Sequence, residues 1–275
     1  MSFALPLVSI ITPVFNGAKY IGQLIESVVQ QEYSRIEHIV IDDGSDDDGA
    51  TVAVLEQYPH LRWWSRENRG QYPTMNEGLD AAKGELICFI SADDLMASGA
   101  VKSVVDEFLE HPEYSGIYGK ILWMNDDGSL RHAQELIASA PLWLFKYRTF
   151  ISHCSLYMKK DILEQHELYF DTSLHFVGDF DWIIRIAELP LRIGYVDQNL
   201  SLVRYHSSQA SQVHAQAIRE ESHLIYQRYG VNRILRKIIL TSIHWATVIK
   251  SLWGALLSGG LKEVNLMVAE RLTRD

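Results

Sequence analysis

The sequence predicts an α/β fold: a mostly parallel central sheet flanked by helices, with a helical tail at the C-terminal end. Through the first half of the chain, short runs of β-branched and aromatic residues alternate with helix-like segments, which is the pattern of βαβ units. The 275 residues are 47% hydrophobic and 22% charged, so the chain has enough apolar side chain for a sizeable core.

Each predicted element in the first half has its own local signal. The β-branched and aromatic runs predict strands at 8–12, 36–41, 61–65 and 85–91. Amphipathic spacing between them predicts helices at 18–31, 51–58 and 73–84. Pro13 stops the first strand, and Gly84 lies just beyond the third helix, where such residues commonly end regular structure.

The second half is less regular. Its predicted helices are 98–112, 179–189 and 212–230, with a short amphipathic piece at 141–148. Its predicted strands are 154–158, 191–196 and 202–206. Asn125 to Gly128 has the composition of a hairpin turn.

Charge and cysteine content exclude several classes of protein. The net charge is −10, and because residues 228–275 contribute eight Lys/Arg against three Asp/Glu (+5), residues 1–227 carry −15. An acidic body of this kind disfavours nucleic acid as a partner. The cysteines, Cys88 and Cys154, both lie in apolar stretches, so neither a disulfide framework nor a CxxC metal site is expected. The N-terminus lacks the features of a signal peptide, and we expect a cytoplasmic protein.

Acidic pairs directly follow two of the predicted strands. Asp42 and Asp43 follow the second strand, and Asp93 and Asp94 follow the fourth with no turn residue between. Ligands of open parallel sheets bind at the carboxyl ends of the strands, so both pairs are expected to face one cleft. Neither G-x-G-x-x-G nor G-x-x-x-x-G-K-[ST] occurs, so bound phosphate would need a metal, and carboxylates suit Mg²⁺ or Mn²⁺.

Four blocks of the chain resemble, in order, the signature blocks of family 2 glycosyltransferases. They are VSIITPVFNG (8–17), IDDGSDD (41–47), ENRGQYPTMNEGLDAAKGELICFISADD (67–94) and GDFDWIIR (178–185). The resemblance spans about residues 7–210 and is closest to the subgroup that builds bacterial surface polysaccharides. It implies a GT-A fold and an inverting enzyme that uses a nucleotide sugar, with a UDP-sugar favoured, and a glycan or lipid-linked acceptor. On this basis 1–230 is the catalytic domain, with a nucleotide-binding half at about 1–115 and an acceptor half at about 116–230.

The resemblance also implies roles for the residues at the strand ends. Thr12, Pro13 and Asp43 would line the pocket for base and ribose. Asp94 would be the principal ligand of Mn²⁺ or Mg²⁺, and Asp93 would reach the ribose or the metal. The alternative for residues 42–48 is a solvated turn that caps the next helix. Arg69 and Asn76 would also bind the donor, with a structural role for Asn76 as the alternative.

Residues nearer the C-terminal end complete the implied site. Asp179 matches the catalytic base, which takes the proton of the acceptor hydroxyl, and the alternative is that it caps its helix. His206 and Arg204 would lie near the diphosphate, His206 as a metal ligand, and His153 would line the acceptor side. Gly178 stands where relatives often have Glu. The QxxRW motif of processive synthases is absent, which favours addition of a single sugar.

Two questions stay open at this level. A nucleotide-sugar-binding module without transferase activity and a metal-dependent phosphohydrolase are the alternative functions. Residues 231–275 combine Trp and Leu with Arg and Lys, which fits a helix lying on the inner face of the cytoplasmic membrane. Packing of this tail against the body or against a second copy of the chain is the alternative.

Overall fold

The computed structural model describes residues 5–133, 144–148 and 151–242. The chain divides into two compact units, Met1–Phe145 with Thr149–Ile225, and Lys146–Arg148 with Tyr226–Asp275. The predicted division at residue 230, and the two halves within 1–230, stay predictions. The first unit holds the sheet and every candidate site residue named above.

The first half contains the strands and helices that the sequence predicts, but Pro13 does not stop the first strand, because the pairing with β2 continues through Val14. Its strands are β1 (Val8–Val14), β2 (Ile36–Asp42), β3 (Arg62–Ser65) and β4 (Leu86–Phe89). Its helices are α1 (Ile21–Val29), α2 (Ala50–Leu55) and α3 (Gln71–Ala81). The four strands pair in parallel in the order β3-β2-β1-β4, so their carboxyl ends lie along one edge of the sheet.

The second half adds shorter and more varied elements. Its strands are β5 (Leu95–Met96), β6 (Gly116–Asn125), β7 (Leu130–Ala133), β8 (Leu156–Lys159) and β9 (Ile193–Tyr205). Its helices are α4 (Ala100–Glu110), α5 (Lys160–Gln165), α6 (Gly178–Glu188), α7 (Ala210–Val213) and α8 (Ala215–Arg228). A further helical stretch covers residues 233–242.

All of these strands belong to one sheet. The order is β3-β2-β1-β4-β8-β6-β9-β5, and β7 forms a hairpin with β6. β8 runs antiparallel to both β4 and β6, whereas β6 and β9 are parallel, so the later part of the sheet is mixed. The prediction of an α/β fold with a central sheet flanked by helices is confirmed, and the parallel character belongs to the first half.

Apolar side chains are buried on both faces of the sheet, with one cluster packed between the sheet and α1 and α4. β4 is a continuous apolar run, and β1 is buried along almost its whole length, because both faces of each strand are covered, as is usual for central parallel strands. α1 buries Ile21, Leu24, Ile25 and Val28, which recur at the spacing that puts them on one helical face.

Four predicted elements of the second half differ from the structure. The strands expected at 191–196 and 202–206 form the single strand β9, because no Gly or Pro stands between them and the pairing with β6 continues through two register shifts. The helix expected at 212–230 is interrupted at His214, which separates α7 from α8. Cys154 lies in a short 3-10 turn rather than in a strand. The piece expected at 141–148 lies partly outside the described residues.

Candidate active site

Asp43, at the end of β2, is enclosed by the loop that follows β3. Its buried carboxylate accepts hydrogen bonds from the backbone N–H groups of Arg69 at 2.8 Å and Gly70 at 2.9 Å, and it forms an ion pair with Arg66. Arg66 also donates from Nε to Glu77 Oε2 at 2.7 Å. Asp43 therefore shapes the loop from which the exposed Arg69 side chain projects.

The neighbouring acids of the same segment serve the turn. Asp42 accepts from the hydroxyl groups of Ser45 and Ser65, each at 2.5 Å. Asp47 accepts from the backbone and the hydroxyl group of Thr51 in the first turn of α2. The contacts of Asp47 therefore agree with the alternative for residues 42–48, a turn that caps the next helix.

The end of β1 contributes both buried and exposed groups. Thr12 is fully buried, and its Oγ1 lies 3.1 Å from Nε2 of His38 on β2. Pro13 is partly exposed. Phe15, which the sequence analysis did not single out, exposes 48% of its surface just beyond the strand. It precedes Asn16, whose positive φ of 52° and reciprocal hydrogen bonds with Asp46 fix this loop against the one after β2.

The second acidic pair lies on a turn. The expectation that Asp93 and Asp94 follow the strand directly is wrong, because β4 ends at Phe89 and the backbone N–H of Asp94 closes a turn onto Ser91 O at 3.1 Å. Residues 91–94 form this acid turn. The turn is needed because the chain then enters β5, whose partner is β9 rather than β1.

Asp94 points into the protein. It is 3% exposed, and its two carboxylate oxygens accept from the backbone N–H of Arg204 at 2.9 Å and from Sγ of Cys154 at 3.2 Å. Burial raises the pKa of Asp94 well above its usual value, and the negative charges of Cys154 and Asp93 act in the same direction. In this structure Asp94 is thus bound by groups inside the protein.

Asp93 has a different environment. Its side chain is 25% exposed, and its Oδ2 lies 2.9 Å from Nε2 of His206. Nδ1 of His206 lies 2.9 Å from the hydroxyl group of Ser208. Asp93 therefore presents a partly exposed carboxylate at the carboxyl edge of the sheet, held in place by the buried His206.

Arg204 holds this arrangement in place. The side chain is almost fully buried, with Nε donating to the carbonyl of Asp93, and its terminal nitrogens donating to the carbonyl of Asp126 and to Oε1 of Gln23, each at 2.8 Å. Its guanidinium also lies 4.7 Å from the ring centroid of Tyr20. These contacts fix the acid turn, and they leave the guanidinium buried within the protein.

Within the described residues, no group of three or more His, Cys, Asp or Glu side chains is arranged to hold a metal ion. Asp93, whose side chain is partly exposed, nevertheless fits a divalent ion that takes its remaining ligands from water and from phosphate oxygens, as Mg²⁺ commonly does. His206 is 9% exposed with both ring nitrogens hydrogen-bonded, and Asp94 is likewise enclosed, so their roles as metal ligands stay predictions.

The third acid is Asp179, the second residue of α6. Its Oδ1 accepts from the backbone N–H of Phe180 at 2.8 Å, its Oδ2 lies 3.2 Å from Nδ1 of His153, and the side chain is 32% exposed. The helix begins after Val177, so Asp179 lies inside the first turn and is not its N-cap residue. Asp181 is buried and bound by Arg185 at 2.8 Å. Of the two acids in the first turn of α6, Asp179 is thus the one that a ligand can reach.

A hydrogen-bonded path connects Asp179 to Asp94. Nε2 of His153 lies 3.3 Å from Sγ of Cys154, which in turn contacts Asp94. Burial opposes the charged form of His153, but Cys154 and Asp179 outweigh it and hold its pKa well above the usual value. Burial likewise opposes the thiolate of Cys154, but His153 outweighs it and lowers the Cys154 pKa. The two acids therefore share one polar cluster.

The predicted donor-binding residue Asn76 is engaged elsewhere. Its amide exchanges two hydrogen bonds with the backbone of Phe170, at 2.9 Å and 2.8 Å. On the same helix, a side chain at Gly78 would collide with Ile11, so this glycine lets α3 pack closely on β1. The structural interpretation of Asn76 is the one that its contacts support.

Glu221 on α8 was not found from the sequence. Its carboxylate accepts from the consecutive backbone N–H groups of residues 175–177, at 2.8, 2.8 and 3.2 Å, just before α6 begins. The side chain thereby anchors the helix end that presents Asp179. No local pattern signals this contact, because its partners lie more than 40 residues away along the chain.

The family model for glycosyl transferase family 2 matches residues 9–173. The chain belongs to this family. An uncharacterized glycosyltransferase of Rickettsia bellii (strain RML369-C) is 32% identical over 75% of this chain and 31% of its own length. Uncharacterized glycosyltransferase YibD of Escherichia coli (strain K12) is 25% identical over 84% of this chain and 70% of its own. The chain spans about a third of the length of the Rickettsia bellii relative and of a second one, from Rickettsia felis.

Solved structures support the same fold. The crystal structure of S. aureus TarS residues 1–349 in complex with UDP-GlcNAc matches with a TM-score of 0.63 at 22% identity, covering 74% of this chain and 60% of that one. A further crystal structure of S. aureus TarS 1–349 matches with a TM-score of 0.62 at 22% identity over 80% of this chain and 64% of that one. The family 2 resemblance and the GT-A type of fold are confirmed.

Proposed function

We propose that this protein is an inverting glycosyltransferase that moves a single sugar from a nucleotide sugar to a hydroxyl group of a glycan or lipid-linked acceptor. The observation that carries the proposal is Asp179, a reachable carboxylate with both oxygens oriented and joined by hydrogen bonds to the acid turn. Membership of family 2 supports the same reaction class.

A UDP-sugar is the proposed donor. The related TarS structures contain UDP-GlcNAc and UDP, which supports this choice. In this chain, Phe15 offers an exposed aromatic face on which a base could stack, and Arg69 offers a guanidinium to a diphosphate. Asp43 acts in this proposal through the loop that it holds, and Thr12, which is fully buried, acts by packing.

Mn²⁺ or Mg²⁺ is the proposed cofactor, held by Asp93, the partly exposed acid of the turn, rather than by the enclosed Asp94. When bound there, the ion would neutralise the charge that develops on the departing diphosphate. Asp93 is preorganised for this because Arg204 fixes the backbone of the turn and His206, itself bonded to Ser208, contacts the carboxylate.

Asp179 acts as the general base. Its carboxylate takes the proton from the acceptor hydroxyl as that oxygen attacks the anomeric carbon, and the nucleoside diphosphate leaves from the opposite face. One displacement inverts the anomeric configuration and requires a single reachable carboxylate on the acceptor side. Asp181 is unavailable for this role because Arg185 binds it within α6.

Turnover of a panel of UDP- and GDP-sugars with MnCl₂, with and without candidate acceptors, tests the proposal. Asp179→Asn should lower turnover by about 10²–10⁴-fold while UDP still binds. Asp161→Asn is the matched control, because Asp161 is likewise the second residue of its helix and accepts from the next backbone N–H at 2.8 Å.

Three outcomes would contradict the proposal. Full activity of Asp179→Asn would show that Asp179 is not the general base. Donor binding without turnover across the whole panel would favour the binding-module alternative. Release of phosphate from simple monoesters would favour the phosphohydrolase alternative.

We further propose that the enzyme works on surface polysaccharide at the inner face of the membrane. No helix within the described ranges is long and apolar enough to cross a bilayer. The helical residues 233–242 expose Ile234, Leu235 and Ile238 beside Arg233 and Lys237, which suits an anionic interface. Cosedimentation with phosphatidylglycerol vesicles should fall on Ile234→Asp. Failure of the full-length protein to cosediment with these vesicles would favour the second-subunit alternative.

A further inference from the structure

His153 occupies the junction between the acid turn and α6. Its ring is 14% exposed, and it stands in the 3-10 turn that leads into β8. Nδ1 lies 3.2 Å from Oδ2 of Asp179, while Nε2 lies 3.3 Å from Sγ of Cys154 and 3.4 Å from Oγ of Ser91. Both ring nitrogens therefore make contacts, Nδ1 with α6 and Nε2 with Cys154 and the acid turn.

The direction of the contact with Asp179 follows from chemistry. An ionised carboxylate only accepts hydrogen bonds, so Nδ1 of His153 must be the donor. A neutral ring can then accept at Nε2 from the Cys154 thiol or the Ser91 hydroxyl, and a charged ring donates at both nitrogens. In either protonation state, His153 donates to Asp179.

The contact matters because Asp179 has few other restraints. Its Oδ1 is held by the backbone of its own helix through Phe180 N–H, a bond that alone leaves the side chain free to turn toward solvent. The hydrogen bond to His153 fixes the second oxygen and hence the plane of the carboxylate. Since the same ring also contacts Ser91, the position of Asp179 is fixed relative to the acid turn.

We propose that His153 is a positioning residue for the general base. The inference rests on the proposed function of Asp179 and extends it: His153 holds the carboxylate at the angle and distance from the acid turn at which the acceptor oxygen can attack. Misplacement of a reacting group by about 1 Å can cost on the order of 10²-fold in rate. The residue thus acts through Asp179 and does not touch the sugar.

A pair of substitutions separates positioning from packing. His153→Phe keeps a ring of similar size but removes the donor, whereas His153→Asn places an amide N–H close to where Nδ1 stood. With the UDP-sugar that gives the highest turnover in the panel above, His153→Phe should lower kcat about 10- to 100-fold, with the donor KM and the UDP dissociation constant nearly unchanged. His153→Asn should recover most of the lost kcat.

His111→Phe is the control. This histidine also lies beside a carboxylate, with Nδ1 3.5 Å from Oε1 of Glu113, but it stands at the C-terminal end of α4 on an exposed surface. Its substitution should leave kcat and KM unchanged. Equal losses of kcat in His153→Phe and His153→Asn, or a loss that appears only in the donor KM, would overturn the proposal.

A second measurement does not depend on turnover. Two-bond ¹H–¹⁵N spectra of the histidine side chains identify the His153 signals by their loss in His153→Asn. Asp179→Asn should shift the Nδ1 resonance of His153, whereas Asp181→Asn, which removes an acid bound to Arg185, should not. An unchanged Nδ1 signal in Asp179→Asn would refute the positioning contact, even if no donor were turned over and the proposed function itself had failed.

Discussion

Two pairs of adjacent acids lie at the carboxyl edge of the same sheet, yet their surroundings make them chemically different. Asp42 and Asp43 are bound internally: serine hydroxyls hold the first, and Arg66 with two backbone N–H groups holds the second. At the acid turn, Asp94 is equally enclosed, but Asp93 remains partly exposed beside His206. The comparison shows that the partners of a strand-end carboxylate determine whether it is available to a ligand.

Asp43 and Asp94, both of which are enclosed, also differ from each other. Asp43 faces a guanidinium and backbone donors, which stabilise a carboxylate inside the protein. Asp94 faces a thiol and a single backbone N–H, and burial raises its pKa. Asp43 is therefore expected to contribute mainly to stability and loop geometry, whereas Asp94 contributes to the polar cluster around Cys154.

The largest expected effect on stability is at Asp43. Asp43→Ala would leave Arg66 with Glu77 as its remaining carboxylate partner and would remove the acceptor of two backbone N–H groups. Breaking a largely buried ion pair of this kind should lower the free energy of unfolding by about 2–4 kcal/mol. Urea denaturation followed by circular dichroism measures this, and a loss no larger than that of a surface pair would contradict the structural role.

A smaller effect is expected from acid at His38, which lies beneath the first acidic pair. Burial, helped by the charge of His60, lowers the pKa of His38 from 6.5 to about 3. Between these values the unfolded chain binds a proton that the folded chain does not, so stability falls as the pH falls below 6.5. Between pH 6 and pH 5 this contribution is about 1 kcal/mol.

His38→Gln should remove that contribution while keeping a polar group near Thr12. The loss of stability between pH 6 and pH 5, measured by urea denaturation, should therefore be smaller in the variant than in the wild type by about 1 kcal/mol. Identical pH dependence in the two proteins would show that His38 takes up its proton in the folded state as readily as in the unfolded one.

The smallest effect on stability is expected at an exposed ion pair, which serves as the reference for the loss expected in Asp43→Ala. Lys102 and Asp106 face each other across one turn of α4, and both side chains are about half exposed. Asp106→Ala should change the free energy of unfolding by less than about 1 kcal/mol, because solvent screens such pairs. A change as large as that of Asp43→Ala would remove the distinction between enclosed and exposed carboxylates.

Much of the fold could be predicted because its signals are local. The strands and helices of the first half follow from β-branched runs and amphipathic spacing, and Asn125 to Gly128 forms the expected hairpin turn. The single strand β9 was missed because its continuity depends on pairing with β6, which is distant in sequence. Likewise, the interruption before α8 was missed because no Gly or Pro near His214 signals it in the sequence.

The site could be predicted as a set of residues but not as a set of roles. Asp93, Asp94 and Asp179 were identified, yet which acid is reachable depends on Arg204, Cys154 and His153, and these are joined to the acids only by tertiary contacts. Glu221 was missed for the same reason.

The measurement that tests the central claim most directly is UDP binding by calorimetry, with MnCl₂ or with EDTA. Wild type, Asp93→Asn and Asp94→Asn are compared after thermal unfolding has shown that each is folded. The account predicts that EDTA and Asp93→Asn weaken binding by the same factor, and that Asp94→Asn keeps its dependence on Mn²⁺. Loss of that dependence in Asp94→Asn with its retention in Asp93→Asn would contradict the account.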